Sequence, residues 1–104
     1  MIIAIDDMRD HVGADIVCRN IDAARFVFMA FHGKGAWDLL LLDHDLGGRE
    51  TGMDFLKWGH RFGMLPPEIV LVTDNPVGRK NMEAFLENDA GYHRKLGSNV
   101  YVKG

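Results

Sequence analysis

The segment Trp37-Asp38-Leu39-Leu40-Leu41-Leu42-Asp43-His44-Asp45-Leu46-Gly47-Gly48 drives four consecutive leucines into two carboxylates and then into a glycine turn. An apolar run this short, bounded by turn signals, suits the interior strand of a parallel sheet. In such sheets ligands gather just beyond the carboxyl ends of the strands. Chemistry is therefore expected at Asp43 and Asp45. The run Glu68-Ile69-Val70-Leu71-Val72-Thr73, which follows Pro66-Pro67 and leads into Asp74-Asn75-Pro76, repeats the pattern.

The rest of the chain alternates between strand and helix signals. Residues 2–6 form an apolar run ending in Asp6-Asp7, and 14–19 read as a second strand after the loop Met8 to Gly13, which leaves no room for a helix. Asn20 caps a helix reaching about Phe31, with Asp22 in its first turn and Gly33 and Gly35 as stops. The third strand is expected at 37–43. Thr51 and Asp54 form a capping-box pattern ahead of a helix that presents Phe55, Trp58, Gly59 and Phe62 on one face. A further helix spans 78–88, and Asn99-Val100-Tyr101-Val102 supplies a fifth strand before Lys103. At 104 residues and 47% hydrophobic content, one core accounts for the whole chain, so 1–104 is read as a single domain. Strands alternating with helices imply right-handed crossovers, and the expected fold is α/β: a flavodoxin-like three-layer sandwich with a five-stranded parallel sheet and a reduced first crossover.

A parallel arrangement sends the polar strand ends to one edge: Asp6 and Asp7, Asp43 and Asp45, Thr73, and Lys103. Carboxylates converging without partners repel, and a hard divalent cation is the natural compensation. Oxygen ligands with retained waters favour magnesium or manganese, held by Asp6, Asp7 and Asp43. Beside that ion, Thr73 and Lys103 complete a phosphoryl site, with Asp45 as general acid or base and Asp43 as either nucleophile or ligand. A net charge of −3 argues against broad binding to phosphate backbones. No apolar stretch reaches membrane-spanning length, Met1-Ile2-Ile3-Ala4 is not a signal peptide, and a soluble cytoplasmic protein is expected. Cys18 is the single cysteine and reads as a buried structural thiol.

Asp6-Asp7, the Asp38 to Asp43 run, Val72-Thr73 and Val102-Lys103 resemble the response-regulator receiver domain. That resemblance implies magnesium on the acidic pair and phosphoryl acceptance at Asp43. Receivers, however, carry a full helix after the first strand and usually lack Asp43-His44-Asp45. Leu42 to Gly47, Thr51-Gly52-Met53-Asp54 with Trp58, and Asn75-Pro76-x-Gly78-x-x-Asn81-Met82 are similar to a narrower group, the cyclic-phosphate-processing receiver domains of bacteria and phages. The implied role is action on, or recognition of, a cyclic phosphate in a nucleotide or at an RNA end.

Four further residues are candidates for the substrate. Asn75 and Asn81 flank a helix start whose free amides hold anions, with Arg79 and Lys80 adding charge, and His44 between the aspartates is either a ligand contact or a packing residue. His11, His32, His60 and His93 have no metal spacing. Trp37 and Trp58 read as core or partner-facing aromatics rather than a base-stacking platform. Three functions fit these residues: a cyclic-phosphate enzyme or sensor, an atypical receiver phosphorylated on Asp43, and a catalytically silent receiver-like interaction module.

Overall fold

The computed structural model describes residues 1–31 and 37–104. Its elements run β1 (Ile2–Ile5), β2 (Ile16–Cys18), α1 (Ile21–Ala30), β3 (Leu39–Leu42), α2 (Gly52–Arg61), β4 (Glu68–Leu71), α3 (Pro76–Asn88), β5 (Tyr92–Arg94) and β6 (Val100–Lys103). They form one six-stranded sheet in the order β2-β1-β3-β4-β6-β5. The strands β2, β1, β3 and β4 are parallel, with Ile3 beside both Ile16 and Leu40, and Leu40 beside Ile69. No helix lies in the link 6–15 between β1 and β2.

The expected five-stranded parallel sheet is corrected at its far side. A strand at Tyr92–Arg94 turns back into β6, and β6 runs antiparallel to β4, pairing Ile69 with Tyr101. The turn Lys95-Leu96-Gly97-Ser98-Asn99 between β5 and β6 is too short for the crossover of a dozen or more residues that a parallel pair needs, so the two strands pair as a hairpin and β6 runs against β4. The carboxyl end of β6 consequently points away from those of β1, β3 and β4.

Local signals set the helices. Asn20 Oδ1 accepts from the Ala23 amide (2.8 Å), and the Asp54 carboxylate accepts from the Thr51 amide (2.7 Å) and hydroxyl (3.2 Å). The third helix starts at Pro76, two residues before the expected 78, because Asn75 Oδ1 takes the Gly78 amide (3.0 Å) and proline suits the first turn. The expected stops Gly33 and Gly35 lie outside the described residues.

The steps β2→α1→β3 and β3→α2→β4 cross the sheet in the same direction, so right-handed connections place both helices on one face. There Phe28, Phe55, Leu56, Met82 and Leu86 pack with Ile3, Ile5, Leu40, Leu42, Ile69, Leu71 and Tyr101 in one core. Trp37 lies in the core, stacked on Phe28 at 5.2 Å, while Trp58, 5.5 Å from Phe55, is partly buried against it. The alternate strand residues Leu41, Val70, Val100 and Val102 face the other side, half-buried and outside that core. Among the described residues the architecture is thus two layers, with helices on one face, rather than three. Cys18 is buried, and burial pushes its thiol pKa up. Among the described residues no helix is long and apolar enough to cross a membrane.

Candidate functional site

Asp6 anchors the site. Its side chain is fully buried, yet both oxygens are used twice: Oδ1 accepts from the amides of Met8 (3.0 Å) and Arg9 (3.1 Å), and Oδ2 from Arg9 Nε (3.0 Å) and His11 Nε2 (2.7 Å). Burial on its own would raise the carboxyl pKa; the two amides, His11 and the Arg9 charge overcome it and hold the group at about 2. The clamp extends outward, because Arg19 Nη1 donates to the carbonyls of Asp6 (3.2 Å) and Arg9 (2.8 Å) while Nη2 pairs with Asp10. His11 holds φ +51°, a left-handed conformation in which histidine is over-represented, and this turns its ring back onto Asp6. The loop after β1 is therefore ordered by a polar clamp where a receiver would have a helix.

This clamp sets a pH dependence. The folded-state pKa of Asp6 lies below its usual 3.8, so the associated stability is present above the unfolded value and is lost as pH falls through about 2. The gap corresponds to about 2 kcal/mol. Urea unfolding at pH 5 and at pH 2.5 should show the wild type losing most of that amount beyond the loss of Asp6→Asn, with the remainder lost only below about pH 2. Equal losses would mean that the clamp does not stabilise the fold.

At the end of β3, Asp43 Oδ1 accepts from the His44 amide (2.7 Å), and Oδ2 lies 3.6 Å from Arg9 Nη2. Asp7 accepts no hydrogen bond among the described residues and lies against Gly47, where a Cβ would come within 3.0 Å of its Oδ2. Ligand oxygens of Asp6, Asp7 and Asp43 all lie within 4.8 Å of one another. This all-oxygen set suits a hard divalent ion. Asp7 and Asp43 carry the available lone pairs, whereas Asp6 can join only by giving up Arg9 or His11.

Asp45 stands at the mouth of the same cleft. Its Oδ1 accepts from His44 Nδ1 (3.1 Å) and its Oδ2 from Asn75 Nδ2 (3.3 Å). The hydrogen bond from His44, then that from Asn75, lower its pKa, so it is ionised at neutral pH. Thr73, almost fully buried at the end of β4, accepts the Asn75 amide on Oγ1 (3.1 Å) and keeps its hydroxyl proton available. Asp6, Asp7, Met8, Arg9, Asp43, Asp45, Thr73, Asp74 and Asn75 line this cleft of about 370 Å³. Gly52 seats α2 tightly against β3, since a Cβ there would meet the Asp43 carbonyl oxygen at 2.1 Å.

Four candidates lie elsewhere. His44 supports Asp45 through Nδ1, but its ring packs under Gly78, where a Cβ would meet it at 2.5 Å, and it faces the groove between α2 and α3. Asn81 lines that groove. Arg79 reaches Asn99 (3.4 Å) on the far side of α3. Lys103 is the largest displacement: its amide donates to Pro67 O, ahead of β4, and its Nζ donates to Ala90 O (2.6 Å) and lies 5.2 Å from the Tyr92 ring centroid. Antiparallel β6 carries it to the opposite edge of the sheet. In its stead the cleft contains Arg9, a residue that strand-end reasoning passes over because it sits in a loop. The spacing Asp6-x-x-Arg9-x-His11 was the available signal.

With this geometry in place, comparison with known families is decisive. Residues 1–88 match the cyclic-phosphate processing receiver domain. The chain belongs to that family. The match spans β1 through α3, and so contains every residue of the acidic cleft, while the β5–β6 hairpin that removes Lys103 lies beyond it. No curated protein and no solved structure matches the chain. Membership associates the receiver-like fold with cyclic-phosphate processing and thus with a phosphate-containing substrate.

Proposed function

We propose that this receiver domain opens the cyclic phosphodiester of a nucleotide or an RNA end, with magnesium or manganese held by Asp7, Asp43 and Asp6. The observation that carries this reading is Asp45. An ionised carboxylate, oriented by His44 and Asn75, faces the same cleft as the acidic triad. A receiver that stores a phosphoaspartate for signalling gains nothing from a base beside it; a hydrolytic site requires one.

A bound divalent ion would offset the carboxylate charge and polarise the phosphate. The chain's own groups do the rest. Thr73 donates its hydroxyl to a phosphate oxygen, and Asn75, through Asp45, fixes the direction of the base. Asp45 takes a proton from water as the water oxygen bonds to phosphorus and one ring P–O bond breaks. It then returns that proton to the departing ring oxygen, giving a phosphomonoester and leaving the carboxylate ionised. In this scheme Asp45 is the base and not an initial acid, Asp43 is a ligand, and His44 positions Asp45. Arg79 and Asn81 have no place at the phosphate. Cys18 requires no oxidising compartment, in keeping with the cytoplasm.

The test is incubation with magnesium or manganese and a panel of 2′,3′-cyclic nucleotides, 3′,5′-cyclic nucleotides and cyclic-phosphate-ended RNA, with products followed by chromatography beside Asp43→Ala. Turnover lost in the variant supports the reading. Absence of turnover with any metal overturns it, and stable labelling of Asp43 by a small phosphodonor would then favour a phosphoacceptor instead.

A further inference from the structure

We infer that Arg9 is the phosphate-holding cation of this cleft, the post that strand-end reasoning assigns to Lys103; the inference rests on the reading of the cleft as a cyclic-phosphate site. Among the described residues five carboxylates line the cleft, those of Asp6, Asp7, Asp43, Asp45 and Asp74, and Arg9 is the one cationic side chain beside them. An anionic phosphodiester approaching this lining meets repulsion unless positive charge is already fixed there. Lys103, held on Ala90 at the opposite edge, supplies none.

The Arg9 guanidinium is built for the task on one edge and open on the other. Nε is fixed by Asp6 and Nη2 by the Val72 carbonyl (2.6 Å), so the side chain spans from the loop after β1 across the end of β3 to β4. Its own carbonyl is gripped by Arg19, which fixes the stem. Nη1 has no partner among the described residues, and the side chain is 46% exposed. A planar guanidinium with one edge anchored and an end nitrogen open presents a preset donor for a phosphate oxygen. The same nitrogen that holds Val72 lies 3.6 Å from Asp43 Oδ2, so the donor stands next to the atoms proposed to hold the ion.

The arrangement couples the two ligands. Arg9 Nε occupies one of the lone pairs that Asp6 would need for an ion, so an ion would rest chiefly on Asp7 and Asp43, beside a phosphate of opposite charge on Nη1. Phosphate and divalent ion should each tighten the binding of the other.

The experiment is calorimetric titration of wild type, Arg9→Gln and Arg9→Lys with Mn²⁺ alone, with inorganic phosphate in the presence of Mn²⁺, and with a 2′,3′-cyclic nucleotide in the presence of Mn²⁺. Thermal denaturation of each protein runs alongside. Arg9→Gln should weaken phosphate and cyclic nucleotide by roughly 10- to 100-fold, the loss expected for charge-assisted hydrogen bonds, while Mn²⁺ alone binds as well or more tightly. Arg9→Lys should fall between the two, since an ammonium keeps the charge but not the fork. Equal phosphate affinity in wild type and Arg9→Gln overturns the inference. If Arg9→Gln fails to fold, Arg9→Lys decides, because a lowered melting temperature with unchanged phosphate affinity would mark Arg9 as a structural clamp only. Arg9-dependent binding of inorganic phosphate without binding of any cyclic nucleotide would sustain Arg9 and overturn the cyclic-phosphate reading. A wild type that binds neither overturns both.

Discussion

Asp45→Asn should reduce turnover of whichever cyclic phosphate the wild type opens by roughly 10²- to 10⁴-fold, the range associated with a positioned general base. The substitution is nearly isosteric and removes the proton-accepting charge without vacating the space between His44 and Asn75. Asp45 is outside the triad whose oxygens lie within 4.8 Å of one another, so Mn²⁺ affinity should stay within about twofold of wild type, since the lost charge is exposed and screened. The pair of measurements separates base from ligand. Steady-state product formation gives the first and a manganese titration the second. Unchanged turnover removes Asp45 from the chemistry. Turnover and metal affinity lost in proportion would make it a ligand instead of a base.

Much of the fold was legible because its signals are local. The apolar runs at Ile2–Ile5, Leu39–Leu42 and Glu68–Leu71 end in polar residues, and a run of that kind has few alternatives to an interior parallel strand. Asn20 and the pair Thr51 and Asp54 declare helix starts through hydrogen bonds that depend only on near neighbours. The direction of β6 was not legible in this way. Val100 to Val102 look the same from sequence whether the strand runs up or down, and only the short turn 95–99 that joins them to β5 decides. Nor does any local signal tell how many faces of a sheet are covered; half-buried Leu41 and Val70 are as apolar as their core neighbours Leu40 and Ile69.

The same distinction applies to the cleft. Asp6, Asp7, Asp43, Asp45, Thr73 and Asn75 meet in one cleft because each follows a strand whose direction was read correctly, and parallel strands gather their ends. Lys103 was misplaced by the one strand read in the wrong direction. Arg9 and His11 were missed for a different reason. Their positions depend on a loop conformation that includes a left-handed residue, and neither periodicity nor strand-end logic reaches such geometry.

The second large effect concerns the metal, and Asp7 tests it most cleanly. Asp6→Asn would confound two losses, because that carboxylate also holds together the loop after β1. Asp7 has no hydrogen-bonding role among the described residues and stands close to Asp6 and Asp43, adding a third negative charge to theirs. Asp7→Asn should therefore raise the melting temperature in the absence of divalent ions, by removing a like charge from the cluster. It should also abolish the further rise that Mn²⁺ produces in the wild type, since stabilisation by a ligand scales with its affinity for the folded state. The manganese affinity itself should fall roughly 100-fold or more, at least the loss seen when the supporting shell of a metal ligand is removed. Lys103→Gln should leave that affinity unchanged, as expected of a side chain tied to Ala90 at the other edge of the sheet. A wild-type manganese affinity in Asp7→Asn would exclude the triad as the metal site. A rise in melting temperature without metal, joined to a lost response with it, would identify the repulsion at this sheet edge as the strain that a divalent ion relieves.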